Sequence, residues 1–270
     1  MTSALQLLLC VVLLVPAWAR AEAPETPEEI KACVVRNTPD ASHVQAIELV
    51  SRDRVGTERR TRAHIYGRID AQGYRRILAR FTEPEELQGA AFLFIERKDA
   101  NELVVRSEEL EKVKRVTGRE MLGSIAGTDL TYEDFERLTA LNRPSSPKRL
   151  PDAEIDGRPA FALESRPAEP EASAYERVTH YVDRATCLVL RVELYEKGGR
   201  LRKVVEAQPD RFREFGSVWV AQEVVLRDLR DETQTTLLVE SFDMDADIPT
   251  ATFTVEALEK GDVPAPPEAD

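Results

Sequence analysis

The sequence predicts a mainly β protein built on one strongly curved antiparallel sheet of about ten or eleven strands, an incomplete barrel. An N-terminal helix and a central helical cover are expected on the concave side. Three observations carry this reading. From His43 onward, short runs of alternating apolar and polar residues recur between Gly, Asn and Asp turns. The cleanest run, Cys187–Tyr195, puts Leu188, Leu190, Val192 and Leu194 on one side and Arg191, Glu193 and Tyr195 on the other. One face is therefore buried and one wet, unlike a doubly covered parallel sheet. The alternation breaks once, across Val113–Phe135, where a basic strand end loosens into small residues before a capped helix restarts.

The elements follow in order. Leu5–Val15 is apolar except for Gln6 and leads through Pro16 into Ala17-Trp18-Ala19-Arg20-Ala21. That is the pattern of a cleaved Sec signal peptide over residues 1–21, too short for a comfortable membrane span, and it implies a periplasmic protein. Residues 22–262 are expected to form the folded domain, and the Pro- and Ala-rich stretch 263–270 a disordered tail. Pro27–Val35 reads as a short helix, with Pro27, Glu28 and Glu29 in its first turn and Ile30 and Val34 on its inner stripe. Val44–Arg54 meets Glu58–Ile69 across Val55-Gly56-Thr57, and Asp70–Gly73 turns into Tyr74–Phe81. Ala90–Arg97 and Leu103–Arg106 complete the first half. The second half is read as Phe161–Arg166, Glu176–Asp183, Cys187–Tyr195, Leu201–Ala207, Ser217–Leu229 and Thr233–Phe242, with Pro167–Ala174 as an exposed loop.

Composition narrows function. The chain has 270 residues, is 42% hydrophobic and carries a formal charge of −12. A nucleic-acid partner is excluded by that balance, because a phosphate footprint needs a basic surface. Past the signal segment two cysteines remain, Cys33 and Cys187. In an exported chain an even pair favours a disulfide over two separate buried thiols. His43, His64 and His180 lack metal-ligand spacing, and no Gly-rich phosphate loop follows a strand, so neither metal nor cofactor is expected. Ser124 directly follows Gly123 and misses the nucleophile-elbow spacing, while Glu133 and Asp134 read as first-turn acids behind the helix cap Thr131. Nothing in the chain reads as a catalytic constellation. The basic group Lys112, Lys114, Arg115 and Arg119 fits either anionic head groups or a strand edge protected from pairing.

The central interruption is the most informative stretch. Met121, Leu122 and Ile125 are apolar residues among Gly118, Gly123 and Gly127, which weaken helix and suit a hinge. Tyr132, Phe135 and Leu138 then recur at threes. Apolar residues facing the sheet here either fill the core permanently or cover a cavity.

Three stretches carry a resemblance: Phe81-Thr-Glu-Pro84-Glu-Glu-Leu87-Gln-Gly89-Ala-Ala-Phe92-Leu93, Lys114-Arg115-Val116, and Gly127-Thr128-Asp129-Leu130-Thr131-Tyr132-Glu133-Asp134. Together they resemble the outer-membrane lipoprotein-sorting proteins of the LolA-like superfamily, in an uncharacterised branch. The resemblance implies an incomplete β-barrel plugged by helices that binds acyl chains of lipid or lipoprotein between sheet and helices. It also suggests membrane transport proteins as partners of a monomeric carrier. The lining candidates are Phe92, Phe94, Met121, Leu122, Ile125 and Phe135, with Gly118, Gly123 and Gly127 as hinges. The alternative function is an interaction module on the same fold, a periplasmic sensor or an accessory of an inner-membrane export system.

Overall fold

Alternation dictates strands, and strands whose turns are short pair with their chain neighbours. The result is two antiparallel meanders. The computed structural model describes residues 26–39, 42–107, 112–139, 147–244 and 246–261. The expected signal segment and tail therefore lie outside the described residues.

The first meander holds β1 (His43–Arg52), β2 (Glu58–Ile69), β3 (Arg75–Glu83), β4 (Ala91–Ile95), β5 (Glu102–Ser107) and β6 (Lys112–Arg115). The second holds β7 (Lys148–Ile155), β8 (Arg158–Ser165), β9 (Tyr175–Asp183), β10 (Val189–Glu196) and β11 (Leu201–Ala207). A separate hairpin, β12 (Phe212–Phe215) with β13 (Val218–Ala221), precedes β14 (Glu223–Asp228) and β15 (Thr233–Asp243). The strand order is β6-β5-β4-β3-β2-β1-β15-β14-β11-β10-β9-β8-β7, so thirteen strands form one unclosed sheet whose halves join where β1 pairs with β15.

The expected fold class is what the chain adopts, with more strands than sequence reading resolves. Lys148–Ile155 escaped because its period is broken by an irregular register between Leu150 and Ala153. The predicted single run Ser217–Leu229 is two strands divided at Gln222, whose amide donates to Arg211 while Val239 donates to its carbonyl.

Two helices cover one face of the sheet, the inner face. In α1 (Pro27–Arg36), Thr26 caps Glu29 N–H and the Glu29 carboxylate accepts from Thr26 N–H. Its Ile30 is fully buried against Phe161, Leu163 and Val182 of β8 and β9. Cys33 is bonded to Cys187, with Cα atoms 5.6 Å apart, which ties α1 to the turn before β10. The second helix, α2 (Tyr132–Leu138), starts behind the expected Thr131 cap and ends at Thr139.

The expectation that the opposite face is wet holds only in part. Along β4 the residues alternate between two apolar clusters: Phe92 and Phe94 face inward, whereas Ala91, Leu93 and Ile95 face outward. The outer cluster is covered by Ile248, Phe253 and Leu258, contributed by the C-terminal segment and its helix α3 (Val255–Lys260). Thr254 caps α3, and Gly261 ends it at φ 71°. Strand β10 also departs from simple alternation. A register shift between Val189 and Arg191 turns Leu190 to the outer cluster with Tyr181, away from inward-facing Val192 and Leu194.

Candidate binding cleft between sheet and cover

The inner face carries two kinds of surface. Across β2 to β5 it is apolar: Ala79, Phe92, Phe94 and Leu103 pack with Val116, Met121, Tyr132 and Phe135. Phe135 meets Phe92 edge-on at 5.0 Å between centroids and Phe94 at 5.4 Å. Ile125 is buried in the adjoining cluster with Ile47, Leu49 and Phe81, against which Phe135 also packs. Five of the six lining candidates thus come together under the cover. Leu122 does not: it is 48% exposed, on the outward side of a short 3-10 helix, Gly118–Leu122.

Further along the inner face, a buried polar cluster sits within an apolar surface formed by Val178, Val192, Leu194, Val205 and Leu226. Lys203 on β11 is almost fully buried, and its ammonium donates to Asp134 Oδ2 and to the Asp129 carbonyl, each at 2.6 Å. Asp134 also accepts from the Tyr175 hydroxyl at 2.5 Å and from Thr131 N–H at 2.9 Å. Thr131 accepts in return from Asp134 N–H at 3.0 Å, completing a capping box. Asp129 accepts from the hydroxyls of Thr233 and Thr235 on β15. Burial and the adjacent Asp134 carboxylate push the Tyr175 hydroxyl above the ordinary phenol range. Glu133 accepts from Ser173 Oγ and from Ala174 N–H at 2.9 Å, and pairs with Arg137 at 3.0 Å. The loop before β9 is therefore partly a docking surface, not the wholly exposed hairpin that its prolines suggest.

The C-terminal end of α2 is held as well. Arg75, paired with buried Glu96, donates to the Thr139 carbonyl at 2.8 Å, and His180 Nε2 lies 3.2 Å from the Arg137 carbonyl. Burial lowers the His180 pKa to about 4, so the ring is neutral and Nε2 carries the proton. Glu133 and Asp134 are thus more than first-turn acids: they and their partners fasten the cover. Lys203 escaped the sequence reading because it sits in an ordinary amphipathic strand. Its signal was phase, since it shares the inward parity of Val205.

The three candidate hinge glycines differ. Gly127 lies in a hydrogen-bonded loop where Ile125 N–H donates to the Leu130 carbonyl at 2.8 Å and Ser124 Oγ to the Thr128 carbonyl at 2.6 Å. Gly123 accepts from Tyr132 N–H at 3.2 Å. Gly118, at φ 56°, has open space around it. Three of the four basic residues, Lys112, Lys114 and Arg115, are exposed on β6, an edge of the sheet, and Arg119 lies in the 3-10 helix. Two of these residues are ion-paired, Lys114 to Glu120 and Arg115 to Glu102.

Beside the 3-10 helix a cleft of about 460 Å³ opens between the β4–β5 turn, α2 and the loop before β9. Leu103, Val116 and Met121 line it and continue into the aromatic cluster around Phe135. Its volume falls in the ordinary range for small-molecule sites. Among the described residues, no group of three or more His, Cys, Asp or Glu side chains is placed to hold a metal ion.

An open half-barrel with two helices against one face and a cleft at the margin of the cover defines the class of molecule. A profile of a family described as an uncharacterized protein family matches residues 73–260, and the chain belongs to that family. Its fold is the one seen in LolA-superfamily structures. An outer membrane lipoprotein-sorting protein domain from Vibrio parahaemolyticus superposes with a TM-score of 0.76 at 19% identity, covering 87% of this chain and 98% of that one. A DUF1329 family protein from Desulfovibrio piger gives 0.76 at 20% identity, covering 87% and 100%. A LolA superfamily protein from Nitrosomonas europaea gives 0.66 at 18% identity, covering 86% and 99%. No curated protein matches the sequence.

Proposed function

We propose that the protein is a periplasmic carrier that holds acyl chains of a lipid or lipoprotein between its sheet and its cover. The observation that carries this reading is the cleft of about 460 Å³ whose apolar floor runs into the Phe92–Phe94–Phe135 cluster. Each buried methylene contributes about 0.8 kcal/mol, so a carrier needs dry apolar area of this kind to compete with a bilayer. The Vibrio parahaemolyticus neighbour, described as a lipoprotein-sorting domain, supports the same direction. Release requires the cover to open. Because α2 is fastened at both ends, the moving part is Gly118–Leu122, with Gly118 as the pivot and Met121 as the side chain withdrawn. Gly123 and Gly127 act with the fixed loop.

Mass spectrometry of lipids extracted from protein purified without detergent tests the reading. Bound acyl lipid at near one per protein is expected, together with binding of an acyl-chain probe by delipidated protein that Met121→Asp weakens. Protein that carries no lipid and binds no probe refutes it. A second reading, an interaction module, is favoured by the buried clamp on α2, which keeps the inner face closed. It requires co-purification with a membrane protein and an empty lipid extract.

A further inference from the structure

Volume sets how much hydrocarbon the cleft can hold. A methylene fills about the space of a water molecule in the liquid, about 30 Å³, so one chain of roughly 12–15 carbons fills about 360–450 Å³. Two chains of about sixteen carbons need about 960 Å³. The cleft measures about 460 Å³, and for hydrocarbon this is an upper bound, because the part beside Asn101, Glu133, Glu136 and Arg137 is polar.

The space also ends where the aromatic rings begin. Phe92, Phe94 and Phe135 share one apolar cluster with Leu103, Val116 and Met121, but only the latter three line the cleft. The Phe135 ring meets Phe92 at 5.0 Å and Phe94 at 5.4 Å, and Phe92 and Phe94 are buried. Beyond them Ile125 fills the face with Ile47, Leu49 and Phe81. Phe135 is kept in place because its helix is held at one end by Lys203 on Asp134 and at the other by Arg75 on the Thr139 carbonyl. Gly118 and Met121 line the side of the cleft, so movement of Gly118–Leu122 widens the entrance and leaves the aromatic end closed.

We infer that the cleft takes one acyl chain, stopped at its deep end by Phe92, Phe94 and Phe135, and that its cargo is a single-chain amphiphile such as a fatty acid or lysolipid. This rests on the acyl-chain reading above and adds to it the number and length of the chains. A lipid with two or three long chains is not held whole.

The test displaces N-phenylnaphthylamine from delipidated protein with octyl, decyl, dodecyl, tetradecyl and hexadecyl maltoside, each below its micelle concentration. Affinity is expected to rise about fourfold per added methylene while the chain still finds apolar wall. It should level off between the dodecyl and hexadecyl compounds. Met121→Ala shortens a partly buried side chain on the wall and should move that break toward longer chains by about two carbons. In a second measurement, the protein is incubated with vesicles containing myristoyl lysophosphatidylcholine and dimyristoylphosphatidylcholine, re-isolated and extracted for mass spectrometry. It should retain the lysolipid and not the diacyl lipid, which carries the same head group. Affinity that keeps rising through hexadecyl, a break that Met121→Ala leaves in place, or retention of the diacyl lipid overturns the single-chain inference and leaves the acyl-chain reading standing. Failure of every maltoside to displace the probe, with no lipid retained, overturns both.

Discussion

Replacing Lys203 by Met removes the ammonium that joins β11 to α2 and leaves the rest of the clamp in place. The side chain is 3% exposed and its partner Asp134 is 0% exposed. After the change, the Asp134 carboxylate keeps the Tyr175 hydroxyl and Thr131 N–H as donors but loses its counter-charge, and the Asp129 carbonyl loses a donor. Stranding one member of a buried ion pair costs about 3–5 kcal/mol. For a domain of this size each kcal/mol shifts the melting point by ~2–4 °C, so a fall of about 6–20 °C is expected. Thermal unfolding followed by far-UV circular dichroism measures that fall, and urea unfolding followed by Trp219 fluorescence measures the free energy. The variant Lys203→Met/Asp134→Asn removes both charges yet retains an acceptor for Tyr175. It should regain part of the loss, with a coupling energy above about 1 kcal/mol in the double-mutant cycle. A Lys203→Met protein within 1 kcal/mol of the parent, or single variants that simply add, would refute the view that this pair fastens the cover.

Three other outcomes follow from the geometry. His180 is neutral when folded, with its pKa lowered to about 4 by burial, against ~6.5 unfolded. The unfolded chain therefore binds the extra proton between these values, and stability falls as pH drops from 6.5 toward 4, by up to about 3 kcal/mol. His180→Gln should flatten that slope in urea midpoints taken across the window, and an unchanged slope counts against it. Reducing the Cys33–Cys187 bond, which closes a separation of 154 residues, should lower unfolding free energy by up to ~5 kcal/mol on the chain-entropy model. Equal denaturant midpoints with and without reductant would contradict this. Phe135→Ala opens a void between Phe92 and Phe94 and should destabilise toward the lower end of ~3–5 kcal/mol, since the ring is partly accessible. It should also loosen binding of an acyl-chain probe, and a variant as stable as the parent would show that the aromatic cluster is not packed as described.

The legible parts of the fold were those written in local pattern. Thr131 caps α2 as its pattern predicts, the Pro27-led first turn opens α1, and turns such as Asp70–Gly73 and Gly198-Gly199 divide the strands. The pairing of Phe92 with Phe94 on one face follows from parity alone. What escaped depended on distant partners or on breaks in period. The shift beside Leu190 cannot be read from a run that alternates cleanly through it. Helix α3 has six residues, too few to show a periodic stripe, although Thr254 and Gly261 mark both its ends. Glu133 and Asp134 look like first-turn acids because the side chains that meet them, Ser173, Tyr175 and Lys203, come from strands and loops far along the chain. Leu122 differs from Met121 only by the turn of a short 3-10 helix, which glycine-rich sequence does not specify.

The junction of β1 with β15 has a consequence for how the chain assembles. Each meander zips up from neighbours in sequence, but His43–Arg52 must wait for Thr233–Asp243, the last strand made. Until then the newly formed half presents β1 as a bare edge, with Ile47 and Leu49 on its inner side and no neighbour beyond it. Such an edge pairs readily with other chains, and late contacts between remote segments slow folding. The single seam between the halves is thus where folding and aggregation compete.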